Sequence, residues 1–190
     1  MTTLDQKTLE SMGFAAIGDN THISDRATFY GINKISIGNN VRIDDFCVLS
    51  AGEGGITIGN YVHIAVFSSL MGSGNICLSD FCGLSSRVSI YSSNDDYSGQ
   101  TMTNPTLPRE YTSVFHANVF LGKHVIVGSG CVILPGVTLE EGVAVGALSL
   151  INKNCHAFSI YAGNPARRIK DRRRDLLDLE KKLMTPPTKR

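Results

Sequence analysis

Five histidines, His22, His63, His116, His124 and His156, are the side chains of this 190-residue sequence best suited to accept a proton near neutral pH. His63 lies in the segment ITIGNYVHI, directly before an aliphatic residue that recurs at a fixed interval, so its imidazole faces away from any core built on that interval. It is the preferred general base. His116 ends a long polar stretch that opens YSSNDDYSGQTMTNP. There Asn94, Asp95, Asp96 and Tyr97 offer groups able to hold hydroxyls or an ammonium, although a turn rich in Asx and Ser uses the same residue types. Near the C-terminus the run RRIKDRRR gathers Arg167, Arg168 and Lys170, a pattern that neutralises phosphates or forms a solvated face. The five cysteines are odd in number and form no CxxC pair, which argues against a disulfide framework and against a zinc site.

These groups need a scaffold, and the sequence carries one in its period. Large apolar residues recur every six positions at Ile17, Ile23 and Phe29, at Ile37, Ile43 and Leu49, at Ile58, Ile64 and Leu70, and at Leu78, Leu84 and Ile90. The series resumes at Leu121, Val127, Ile133, Leu139, Val145 and Ile151. Three hexads make one coil of a triangular solenoid with one short strand per face. The extra residues always follow the third hexad, so every insertion leaves from one edge, and the longest is the loop of residues 92–117. Glycine follows the inward aliphatic at Gly18, Gly38, Gly59, Gly122, Gly128 and Gly146, where a tight corner is expected. The slot two before the inward residue is small or β-branched, and Cys47, Cys82, Cys131 and Cys155 read as buried occupants of it.

The segments outside the period are short. Residues 1–16 form a lead-in, residues 17–169 the solenoid and residues 170–190 a tail. In that tail KDRRRDLLDLEKKLM has a helical pattern with Leu176, Leu179 and Leu183 on one face, stopped by Pro186 and Pro187. Eighteen basic and seventeen acidic side chains nearly cancel, which points away from nucleic acid as a partner. No apolar run is long enough for a membrane span and the N-terminus lacks a signal-peptide core, so a cytoplasmic location is expected.

ITIGNYVHI, VFLGKHVIVGSGCVILPGVTLEEGVAVGALSLI and the closing YAGNPARRIK resemble the bacterial hexapeptide-repeat acyltransferases over roughly residues 17 to 170. The resemblance implies a left-handed parallel β-helix, all-β apart from a short C-terminal helix, that assembles as a homotrimer with its sites in clefts between prisms. Sugar N-acetyltransferases of this group carry H-[DE]-C-x-I-G-x-x-x-H. IGNYVH supplies the second histidine as His63, whereas the first falls on Gly54, beside Glu53. Galactoside-type relatives carry a catalytic histidine in the inserted loop, where this chain has Asn94, Asp95 and Asp96. The coenzyme A contacts of the galactoside-type enzymes correspond to Ser129, Ala147, Asn152, Lys153, Arg167 and Lys170, with Arg168 a further phosphate candidate.

The activity so implied is acetyl-CoA-dependent N-acetylation of a nucleotide-linked amino sugar of the dTDP-4-amino-4,6-dideoxyglucose type, in O-antigen or other surface-polysaccharide synthesis and without a metal. His63 would take the proton, and Asn94, Asp95, Asp96, Tyr97 and His116 would contact the sugar. Two alternatives stay open. One is O-acetylation of a sugar hydroxyl, which demands a stronger base. The other is a γ-class carbonic anhydrase-like metal protein, which needs paired histidines that are missing for fifty residues after His63.

Overall fold

In the computed structural model, which describes residues 2–185, the sixfold period becomes three parallel sheets wrapped around one core. The fold is a left-handed parallel β-helix of about seven turns. The first face stacks Ala16–Ile17, Ile35–Ile37, Ile56–Ile58, Ile76–Leu78, Val119–Leu121 and Thr138–Leu139. The second stacks His22–Ile23, Arg42–Ile43, His63–Ile64, Gly83–Leu84, Ile126–Val127, Ala144–Val145 and Ser159–Gly163. The third stacks Thr28–Tyr30, Val48–Ala51, Ser69–Gly72, Ser89–Tyr91, Val132–Ile133 and Leu150–Ile151. Strand alternation sends one residue in and its neighbour out. Ile43, Ile64, Leu84, Val127 and Val145 therefore form a continuous buried column on the second face. Each such side chain contributes about 2 kcal/mol of apolar burial.

The corners are built differently from the expectation. The glycines that follow the inward aliphatics do not carry the left-handed backbone; that conformation falls two residues later, at Asn40 (φ 56°), Tyr61 (φ 56°), Phe81 (φ 60°) and His124 (φ 60°). The glycines are needed because adjacent coils touch there: a Cβ on Gly38 would lie 2.8 Å from the backbone of Gly59. The strain of a left-handed residue with a side chain is offset by stacking between coils, with Tyr61 on Phe81 and Phe81 on His124, each pair 4.9 Å apart.

Two further expectations are corrected. Cys47, Cys82 and Cys131 occupy the slot two before an inward residue, but Cys155 pairs with Leu139 and takes an inward aliphatic position itself, because the chain shortens its last coil. Burial pushes the thiols of Cys47 and Cys155 up to about 11 and that of Cys82 to about 12, as befits inert core residues. The tail is not helical from residue 170. Ala166–Asp171 runs antiparallel to Ser159–Gly163, because its backbone groups close the open edge of the second sheet. The turn between these strands contains the cis peptide Asn164–Pro165.

Helix α2, Leu176–Met184, starts only beyond that hairpin. Arg172 leads into it, donating to the carbonyls of His124 (2.8 Å) and Gly142 (3.0 Å). Leu179 and Leu183 remain exposed, and the stop expected at Pro186 and Pro187 lies outside the described residues. At the other end helix α1, Gln6–Ser11, is capped by Asp5 and sinks Leu9 fully into the core.

The long insertion leaves the edge where the third face meets the first, as its sequence position requires. Its base is pinched by an antiparallel ribbon, Ser93–Asp95 against Val114–His116. Among the described residues no helix is long and apolar enough to cross a membrane.

Candidate active site

His63 faces outward on the second face, where its strand lies in register with Arg42 on the preceding coil. Arg42 and Asp44 flank the inward Ile43, so both point out on the same side of that strand. This places Asp44 against the imidazole: its Oδ2 lies 2.9 Å from Nε2 of His63, while its Oδ1 accepts from Nε of Arg42 at 2.7 Å. Burial works against the charge on Asp44, yet the hydrogen bonds from Arg42 and His63 outweigh it. Its carboxyl is held below the ordinary aspartate range. The pair thus engages Nε2 and leaves Nδ1 of His63 to take a proton.

His63 borders a hollow lined by Ser85, Ser86 and Ser129. From there a bare track runs along the corner between the second and third faces. The coils bond in order, Ser85 N to Val127 O at 2.9 Å, Gly128 N to Val145 O at 2.8 Å and Gly146 N to Tyr161 O at 2.8 Å. Successive coils therefore present Ser85–Ser86, Gly128–Ser129, Gly146–Ala147 and Ala162–Gly163, none with a side chain larger than a hydroxymethyl group. The track ends at the hairpin that carries Arg167 beside Ala162 and Lys170 beside Ile160. Five strand spacings separate the level of His63 from that of Lys170, or about 24 Å.

The sequence candidates divide between places. Ser129 and Ala147 lie on the track, and Ser129 shares the hollow of His63. Arg167 and Lys170 are exposed beside its end. Arg168 is engaged within the hairpin by Asp171 and Ser159. Asn152 and Lys153 follow the third-face strand Leu150–Ile151 and so occupy the other corner of the same prism.

The loop residues also lie away from His63. His116 and Asp95 line a cavity of about 550 Å3 between the loop and the third-face edge, with Ser73, Ser93 and Arg109. Ser93 Oγ accepts from the Ser73 amide and lies 2.7 Å from Nδ1 of His116. Asn94, Asp96 and Tyr97 line a smaller depression on the other side of the ribbon. Asp96 serves the loop itself: hydrogen bonds from Ser98 and Thr101 hold its carboxyl well below the usual range. Among the described residues no group of three or more histidines, cysteines and carboxylates is placed to hold a metal.

Sequence reasoning missed Asp44, Arg42, Ser85, Ser86 and Arg109. The first two were accessible from the local coil length: twenty-one residues separate Arg42 from His63, so the strand holding Asp44 had to lie beside the histidine.

No family model matches the chain. Galactoside acetyltransferase in complex with coenzyme A has the same solenoid, with a TM-score of 0.58 at 20% identity over 87% of this chain and 69% of that one. AntD, an N-acyltransferase from Bacillus cereus solved with dTDP and 3-hydroxybutyryl-CoA, superposes with a TM-score of 0.92 at 43% identity, covering 96% of each chain. A dTDP-4-amino-4,6-dideoxy-D-glucose acyltransferase from Escherichia coli is 56% identical over 180 residues, 95% of this chain and 94% of the relative. Fold and likeness together define an acyltransferase of the hexapeptide-repeat class. Within that class, the chain belongs to the family of the dTDP-4-amino-4,6-dideoxyglucose acyltransferases.

Proposed function

We propose that this chain transfers an acetyl group from acetyl-CoA to the amine of dTDP-4-amino-4,6-dideoxyglucose, working as a homotrimer. The observation that carries the reading is the bare corner track, which begins at an oriented histidine and ends at a basic hairpin. A pantetheine arm needs a smooth backbone-lined path of that length, and its nucleotide phosphates need cations at the far end. Arg167 and Lys170 suit that end, and Ser129 and Ala147 suit the arm. The relatives named for dTDP sugars and coenzyme A support the choice of substrates.

The amine nitrogen attacks the thioester carbonyl, forming a C–N bond. The C–S bond then breaks and the thiolate leaves. Nδ1 of His63 accepts the proton that the nitrogen loses and returns it to sulfur, while Asp44 fixes the orientation of the ring. An amine acceptor asks less of this base than a hydroxyl does, because it is already nucleophilic when neutral.

The division of candidates within one prism supports the trimer. Asn152, Lys153, Asp95 and His116 lie at one corner, whereas His63, Ser129 and Ala147 lie at another, so neighbouring prisms would have to combine them. Exposed Ile126 and Leu148 are available to pack between prisms. The product would serve surface-polysaccharide assembly in the cytoplasm. A 28% identical Escherichia coli relative, named for O-acetyl transfer in lipopolysaccharide biosynthesis, supports that setting.

The test is release of free thiol by the purified chain from acetyl-CoA with the dTDP amino sugar, beside hydroxyl-only glycosides as acceptors. Turnover restricted to the hydroxyl acceptors would refute N-acetylation. Light scattering of the purified chain checks the trimer.

A further inference from the structure

The second face carries one bare position. Its outward column passes from Arg42 through His63, Gly83 and Ile126 to Ala144, one residue per coil, and only Gly83 lacks a side chain. The fold supplies no reason for that glycine. Every other glycine among the described residues either adopts a positive φ or would bring a Cβ within 3.0 Å of a neighbouring atom. A Cβ on Gly83 would meet nothing closer than Cγ1 of Ile126 at 3.9 Å, which is ordinary contact. A side chain there would restrict the unfolded chain and so raise stability, and Gly83 forgoes that gain.

The gap left by Gly83 has the width of an alkyl chain. His63 and Ile126 flank it two strand spacings apart, or about 9.6 Å between backbones, which leaves room for one hydrocarbon chain between their side chains. Exposed Ile126 and buried Ala65 give it apolar walls, and both border the hollow of about 380 Å3 beside His63. Ser85, at the head of the track, lies two residues further along the strand, or about 6.6 Å from Gly83.

We infer that this gap receives the acyl chain of the thioester, so that Gly83 is a specificity-determining residue that admits donors longer than acetyl. The distance from Ser85 to Gly83 accommodates about four carbons joined by bonds of about 1.5 Å. The inference rests on the proposed transfer from coenzyme A and widens its donor. The step itself is the same: the amine nitrogen bonds to the acyl carbon, the C–S bond breaks, and the proton passes by way of His63 to the thiolate.

Thiol release by the full chain with the dTDP amino sugar tests this, with acetyl-CoA and butyryl-CoA as donors. The unaltered chain should turn over both. Gly83→Val is expected to lower the butyryl-to-acetyl ratio of kcat/KM by about 10- to 200-fold, the effect of a misfit of methylene size in an apolar pocket. Gly83→Ala should lower the ratio less and hold or raise the thermal midpoint, because its Cβ finds open space. Rejection of butyryl-CoA by an unaltered chain that uses acetyl-CoA would overturn the acyl assignment alone, as would an unchanged ratio in both variants. No turnover with either donor would refute the transfer reading and the acyl assignment with it.

Discussion

Among the described residues, two histidine–carboxylate pairs lie within 3 Å and look alike at first sight. His63 meets Asp44 at 2.9 Å and His124 meets Glu180 at 2.7 Å. In both, hydrogen bonds hold the carboxyl below its ordinary range. They differ in what surrounds the ring. The side chain of His63 is 49% exposed and borders the hollow at the head of the track, whereas that of His124 is 10% exposed, stacked on Phe81 and covered by helix α2. The second pair shares its carboxylate with Lys123 and holds a helix down. A histidine–carboxylate contact is therefore not in itself a catalytic signature. On the proposed mechanism, access to an open path is what separates a base from a clasp.

This contrast can be broken experimentally. The largest effect is expected from His63→Ala, which should lower kcat by about 10²- to 10⁴-fold with little change in thermal midpoint. An equal loss in His124→Ala would erase the distinction. Asp44→Asn should cost about 10- to 100-fold in kcat, with the KM for acetyl-CoA unchanged, because it disturbs the orientation of the base and not the track. Filling the track should act the other way. Ala147→Leu is expected to raise the KM for acetyl-CoA about tenfold, equivalent to about 1.4 kcal/mol of binding, at nearly constant kcat.

The smallest effect belongs to the clasp. Glu180→Gln should lower the thermal midpoint by no more than about 4 °C and leave turnover intact. Because the carboxyl of Glu180 is depressed, its contribution is present above the ordinary glutamate value of 4.5 and fades as pH falls through its lowered value. Acid titration followed by limited proteolysis of the tail should show that loss in the unaltered chain and not in Glu180→Gln.

Much of the fold was legible because the period is strict and a buried aliphatic cannot move without exposing its neighbours. The row Ile43, Ile64, Leu84 and Val127 could be read by counting. Less could be read where backbone contacts between coils decide. Gly38 and Gly59 were assigned a conformational role, but they serve the close approach of coils, which composition alone does not distinguish. The strand at Ala166–Asp171 was hidden by a charge-rich sequence that favours a helix until an unpaired sheet edge stands next to it. For the candidate site, His63 stood out by type. Its partner Asp44 depended on register, and Arg109 depended on where a loop folds back. Side chains joined only by tertiary packing leave no short motif.

The two ends of the solenoid carry one more consequence. A stack of parallel coils finishes, at either end, in strands whose amide and carbonyl groups invite another copy to continue the ladder, the geometry of a growing fibre. Here the N-terminal end is covered by helix α1 and Leu9, and the second sheet ends in a reversed strand rich in arginine and lysine. A reversed, charged strand is a poor template for a further parallel coil. The same hairpin that carries Arg167 and Lys170 also limits the molecule to a finite length, so one turn of chain both ends the stack and sets two cations at its rim.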